Sequence, residues 1–120
     1  MESDEVVKAL GALAQESRLA IFRLLVERGP EGFTPSELSG QLTVPAPTLS
    51  FHLKELQHAD LLISRRRGRN LFYSANFPAM NALVSYLTEN CCSLADSHGA
   101  AGCGPSTPAR KSASGVRRGK

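Results

Sequence analysis

No run of apolar residues in this 120-residue chain approaches the roughly 20 that a membrane-spanning helix needs. The first residues, Met1-Glu2-Ser3-Asp4-Glu5, are acidic where a secretory signal would be basic, so a cytoplasmic protein with no membrane partner is expected. Cysteine is scarce, and the three present, Cys91, Cys92 and Cys103, are an odd set for structural disulfides. In a reducing compartment they read as thiols open to metals or oxidants. Missing too are a C-x-x-C pair, an evident Ser/His/Asp set and a glycine-rich loop opening a helix. Those absences leave an enzyme, thiol oxidoreductases included, with little support, and no catalytic residue is assigned.

A chain of this length holds one domain with a modest core, and small domains of this kind commonly gain stability by pairing with themselves. The net charge of +3 hides its distribution. Residues 1–92 carry nine Lys/Arg against ten Asp/Glu, whereas residues 93–120 carry five against one. Composition changes at the same point: Ser93 to Lys120 is rich in Gly, Ala, Ser and Pro, lacks periodicity, and is expected to be a mostly disordered tail carrying Cys103. The expected division is therefore 1–92 and 93–120.

Helical spacing runs from Val6 to Gln15 and again from Ser17 to Arg28, where Gly29-Pro30 stops it. The first of these helices has an apolar face wider than a small core requires. From Thr34 to Ser74 the pattern is more specific. Thr34 is a good N-cap, Pro35 suits the first helical position, and Glu37 completes a capping box over residues 34–42. After a break at 43–47, Leu49, Leu53 and Leu56 recur at i, i+4 and i+7 and form one buried stripe. Two strand-like runs then flank a basic turn. Two helices, a short break and a hairpin make a mainly α fold with a small β-hairpin, a winged helix-turn-helix.

The face of the second helix opposite its leucines offers Thr48, Ser50, Phe51, Lys54 and Gln57 to a partner, and His52 of the same helix is also assigned to DNA binding. Phe51 lies nearly across from the stripe at about 100° per residue. In a major groove it can pack on a thymine methyl while Ser50, Thr48 and Gln57 reach base edges. Packing of Phe51 beneath a neighbouring element is the plainer alternative. His52 and His58 read as phosphate-contacting or surface histidines and not as metal ligands. In the turn, Arg65, Arg66, Arg67 and Arg69 cluster around Gly68 and suit phosphates or a minor groove. A solvated basic turn would explain them alone; directly after a groove helix, double-stranded operator DNA explains them better.

The runs Pro47 to Leu56, Ala59-Asp60-Leu61-Leu62, Arg67 to Ser74 and, upstream, Leu10 to Ile21 resemble the ArsR/SmtB family of metal-responsive repressors. The resemblance covers roughly residues 5–92. It implies a homodimer in which the first helix packs against the last helix and the partner subunit. One branch of the family holds arsenite on thiolates of the helix matching residues 34–42, which has no cysteine here. Another binds zinc with carboxylates and histidines of the last helix, which in this chain, Phe77 to Asn90, has no histidine and Glu89 as its one acid. Members with cysteines at the end of the last helix, used for trivalent arsenicals, resemble this arrangement.

The last helix is introduced by Asn76 as a cap. Its apolar stripe is Met80, Leu83, Val84 and Leu87, and Cys91 is expected to extend that stripe, with Cys92 directly after it. The expected metal-binding set is Cys91, Cys92 and Cys103, and the expected inducer is trivalent arsenic. Soft trivalent arsenic or antimony favours thiolates. Inorganic arsenite takes three sulfurs, so Cys103 would loop back. A methylated arsenical needs two, which Cys91 and Cys92 supply. Zinc would need a fourth ligand, for which His98 is the nearest candidate. Release from the operator by arsenite, methylarsenite or antimonite is the leading expectation. A thiol redox-sensing repressor of the same fold and a ligand-independent DNA-binding regulator remain open.

Overall fold

The structure, a computed structural model, describes residues 1–95; Cys103, His98 and the basic end of the tail lie outside the described residues. Five helices and one hairpin follow in order: α1 (Ser3–Leu13), α2 (Glu16–Arg28), α3 (Pro35–Leu42), α4 (Ala46–His58), β1 (Leu62–Arg67), β2 (Asn70–Ala75) and α5 (Phe77–Thr88). The chain divides after Leu87 into two units. The first carries the winged helix-turn-helix; of the second, residues 88–95 are described. Among the described residues no helix is long and apolar enough to cross a membrane.

Local chemistry sets the boundaries. A capping box between Glu2 and Glu5 starts α1 three residues before the apolar periodicity begins, so polar capping here extends the helix beyond its buried face. Thr34 and Glu37 form the expected box at α3, with Glu37 N–H donating to Thr34 Oγ1 at 3.2 Å and Thr34 N–H donating to Glu37 Oε1 at 2.9 Å. The break after α3 is shorter than the sequence suggests. Thr43, at φ 56, closes α3, and α4 already begins at Ala46 with Pro47 inside its first turn, where a missing N–H costs no helical bond.

α4 ends in a Schellman motif. Leu61 N–H donates to the Leu56 carbonyl at 3.1 Å and Asp60 N–H to the Gln57 carbonyl at 3.0 Å, with Asp60 left-handed at φ 62. Leu56 and Leu61, the apolar pair such a motif brings together, are both fully buried. This turn fixes the direction in which β1 leaves the helix.

The hairpin is antiparallel, from Leu62 opposite Ala75 to Arg67 opposite Asn70. Gly68, at φ 64, takes the first of its two turn positions, as a primed hairpin turn requires. β2 is also bonded on its other edge: Phe33 N–H donates to the Tyr73 carbonyl at 2.9 Å, and Tyr73 N–H to the Phe33 carbonyl at 2.8 Å. The loop before α3 thereby holds the wing. Gly32 permits this approach, since a Cβ at its φ of 73 would run into the Tyr73 carbonyl.

The core joins Val6, Ala9 and Ala12 of α1, Ile21, Phe22 and Leu25 of α2, Leu38 of α3, Leu49, Leu53 and Leu56 of α4, and Leu61, Leu62, Ala75 and Leu83. Each fully buried Leu or Ile contributes about 1.5–3 kcal/mol relative to exposure. α1, α2 and α5 nevertheless leave Val7, Leu10, Leu19, Val84 and Leu87 exposed, with Val7 at 65 %. A groove of about 450 Å³ lined by Leu19, Phe22, Val26, Met80, Leu83 and Val84 runs between α2 and α5.

Candidate nucleic-acid interface and thiol site

α4 turns two chemically different faces outward and inward. Leu49, His52, Leu53 and Leu56 are buried, while Thr48, Ser50, Phe51 and Lys54 are exposed on the opposite side. Phe51 is 56 % exposed, so the alternative that it packs beneath another element does not hold in the monomer. Thr48, Ser50 and Lys54 surround it with hydroxyls and a cation, the groups that read base edges and phosphates.

His52 does not belong to that surface. It was expected at the DNA, yet it is 7 % exposed and points into the protein. The reason is helical period: it stands three residues after Leu49 and four before Leu56, inside the buried stripe. Its Nδ1 lies 3.5 Å from Arg18 Nη1. Burial, then the Arg18 charge, holds its pKa below the ordinary 6.5, against an opposing pull from Glu55. Arg18 in turn donates from Nε to the Ala12 carbonyl at 2.7 Å. The sequence reading did not single out Arg18, because its role depends on a neighbour 34 positions away.

Gln57, half-buried, donates from Nε2 to Ser64 Oγ at 3.1 Å and so ties α4 to β1. The wing arginines are all exposed but are not equivalent. Arg65 donates from Nη2 to the Pro30 carbonyl at 2.9 Å. Arg67 stacks over the Phe72 ring with its Cζ 5.3 Å from the centroid. Arg66 alternates with these two along β1 and shares the hairpin face of Ser64, the residue that contacts α4. Arg69 stands at the turn itself.

At the other end of the chain, Asn76 caps α5 as expected, its Oδ1 accepting from Ala79 N–H at 3.3 Å. The expected extension of the α5 stripe to Cys91 does not occur. The helix ends at Thr88, and the left-handed Asn90, at φ 59, turns the backbone out of helical register before the cysteine. Within the second unit, Cys91 N–H closes a turn on the Thr88 carbonyl at 3.0 Å, and Cys92 is left-handed at φ 64. The two sulfurs stand 3.5 Å apart. That separation is too long for a bond between them. Cys92 is disulfide-bonded. Among the described residues no group of three or more His, Cys, Asp or Glu side chains converges to hold a metal ion. A third sulfur from Cys103, or the imidazole of His98, lies outside the described residues.

Comparison with known proteins agrees with this architecture. A helix-turn-helix domain family model matches residues 13–65. The chain is 35 % identical over 75 residues to the HTH-type transcriptional regulator YceK of Bacillus subtilis, a stretch covering 61 % of this chain and 74 % of that one. Among solved structures, an ArsR-like transcriptional regulator from Rhodococcus sp. RHA1 superposes with a TM-score of 0.63 at 28 % identity, over 70 % of this chain and 76 % of that one. HlyU from Vibrio cholerae, described also in a reduced form, superposes with a TM-score of 0.57 at 30 % identity, over 72 % of this chain and 97 % of that one. A helix-turn-helix, an exposed polar and aromatic α4 face, a basic wing and these relatives make the protein a DNA-binding transcriptional regulator, and the chain belongs to the ArsR/SmtB family.

Proposed function

We propose that the protein is a homodimeric repressor, released from its operator when trivalent arsenic is taken up by Cys91 and Cys92. The observation that carries this reading is the 3.5 Å between the two sulfurs, which stand this close with Cys92 in its disulfide, so that reduction of that bond leaves two adjacent thiols. With bonds to sulfur of about 2.3 Å, as for zinc thiolates, such a pair subtends roughly 100° at a shared atom. That is the angle range of a pyramidal trivalent centre. Two thiolates satisfy a methylarsenical; inorganic arsenite or antimonite would take its third sulfur from Cys103. The described residues bring together no third donor for a tetrahedral zinc site.

The homodimer is supported by the large apolar residues left exposed on α1, α2 and α5, among them Val7, Leu10, Leu19 and Leu87. In the dimer the two α4 helices enter successive major grooves about 34 Å apart. Thr48, Ser50, Phe51 and Lys54 face the bases and backbone, and the wing arginines take phosphates. Bridging the sulfurs beyond the end of α5 reorders the backbone leaving that helix and loosens the DNA-spaced dimer. A coupling of about 3 kcal/mol would weaken operator binding roughly a hundredfold.

A second reading has its own support. Cys92 is disulfide-bonded, and one solved form of the related HlyU is described as reduced, so oxidation of the same thiols is the rival trigger. Fluorescence anisotropy on promoter DNA, with arsenite, methylarsenite or an oxidant added to reduced protein, separates the two. Release by an arsenical that is lost in Cys91→Ser and Cys92→Ser supports the arsenic reading. Release by oxidant alone replaces it with the redox one.

A further inference from the structure

Resting on the reading of α4 as the DNA-reading helix, we propose that Arg18 and His52 form a strut that fixes the angle of α4 against the end of α1. The strut holds only with a neutral imidazole, so DNA affinity carries a proton-sensitive element inside the fold.

The guanidinium of Arg18 is anchored at one end. Its Nε donates at 2.7 Å to the Ala12 carbonyl in the last turn of α1, a carbonyl that the helix itself leaves without a partner. Its backbone is pinned as well, with Arg18 N–H donating to Gln15 Oε1 at 2.9 Å at the start of α2. The free fork then reaches α4, where Nη1 meets His52 Nδ1 at 3.5 Å. Three helices therefore meet on one planar group. A lysine ammonium, a point charge on a flexible stem, does not reproduce this two-point geometry.

The chemistry of the pair fixes the state of the histidine. Arginine has donors only and does not lose its proton, so Nδ1 facing it must be the acceptor and the imidazole proton must sit on Nε2. Protonation at Nδ1 removes the acceptor and sets two cations side by side in a buried place. The charged groups acting on His52 are Arg18 from α2 and Glu55 from α4 itself. α1 contributes the uncharged Ala12 carbonyl to the same guanidinium. The burial and the Arg18 charge that depress the His52 pKa agree with a ring kept neutral at physiological pH.

The position of His52 makes the strut consequential for DNA. Phe51, the adjacent residue, is the exposed aromatic of the recognition face, and its ring centroid lies 5.7 Å from that of His52. Loss of the internal partner lets α4 turn about its long axis, and the residues facing the groove turn with it.

The test is operator affinity by fluorescence anisotropy from about pH 8 to about pH 5.5, spanning the ordinary histidine range. All proteins carry His58→Gln, so that His52 is the one histidine of α4 that differs between them. His52→Asn keeps an acceptor near the Nδ1 position without a titrating proton. It is expected to bind within about threefold of the parent at high pH and to lack the parent's loss of affinity in acid. Arg18→Lys is expected to lose roughly tenfold at high pH and to flatten the same profile, within the usual range of coupling between sites. Circular dichroism confirms that each variant is folded under the conditions used. An acid profile retained in His52→Asn, or parental binding by folded Arg18→Lys, overturns the strut. Phe51→Ala and Lys54→Ala are run alongside. Unchanged binding in both shows that α4 does not read DNA and overturns the strut together with its premise; weakened binding in both, with a parental pH profile in His52→Asn, overturns the strut alone.

Discussion

His52 illustrates how one position of a helix decides between two roles. Three of the four residues on its stripe are leucines, and the fourth is buried with them despite its polarity, because it has a fixed donor to meet. The pH consequence for stability follows from the direction of its shift. The unfolded chain titrates this histidine near 6.5 and the folded chain below that value, so between the two the unfolded state binds more protons. Stability contributed by the neutral ring is thus present above about 6.5 and is lost as pH falls through the depressed folded pKa. Urea melts across this range should show His52→Asn losing less stability in acid than the parent. Phe51 makes the complementary case on the outer face. Phe51→Ala should weaken binding to the operator by about 1–3 kcal/mol while leaving nonspecific DNA affinity nearly unchanged, as competition against random duplex would show. The leucine stripe was legible from spacing alone. The same spacing places His52 inside, but its residue type suggested a surface, and the signal that could have corrected this was its i+3 relation to Leu49. Arg18 carried no local signal at all.

At the scale of elements, capping and turn chemistry were readable because they are local. Thr34, Pro35 and Glu37 announce the start of α3, and Thr34→Ala should lower stability by about 1 kcal/mol in a denaturant melt. Gly68 announces the hairpin turn. Less visible was the length of α4, whose first turn tolerates Pro47, and the end of α5, where Asn90 adopts a left-handed backbone that asparagine accepts readily. That turn separates the cysteines from the helical stripe that periodicity would have continued. The wing shows a further limit of sequence. Four arginines look alike in a list of residues, yet Arg65 is tied to the Pro30 carbonyl and Arg67 lies on Phe72, whereas Arg66 shares the face that meets α4. Four phosphate contacts per subunit would give a salt slope near −7 for the dimer. Arg66→Ala and Arg69→Ala should each reduce that slope by about 2, with a smaller change for Arg65→Ala, read from operator affinity at a series of salt concentrations.

Over the whole molecule, the uncovered apolar residues and the paired sulfurs belong to one account. Val7, Leu10, Leu19, Val84 and Leu87 are exposed apolar side chains of the kind a second copy would bury, and Leu87→Lys should shift the protein toward monomer in sedimentation while weakening operator binding. The fold and family were legible in the spacing of residues 34–74. The trigger was less so, because soft-ligand chemistry is shared by arsenicals and oxidants and the third cysteine falls outside the described residues. The central claim is that Cys91 and Cys92 together sense trivalent arsenic. Its most direct test is anisotropy of the reduced protein on promoter DNA, titrated with methylarsenite and arsenite, for the parent and for Cys91→Ser, Cys92→Ser and Cys103→Ser. The account predicts release of the parent by a trivalent arsenical and none in Cys91→Ser or Cys92→Ser, with Cys103→Ser affecting arsenite more than methylarsenite. Release that persists in Cys91→Ser and Cys92→Ser, or no release of the reduced parent by either compound, would contradict it.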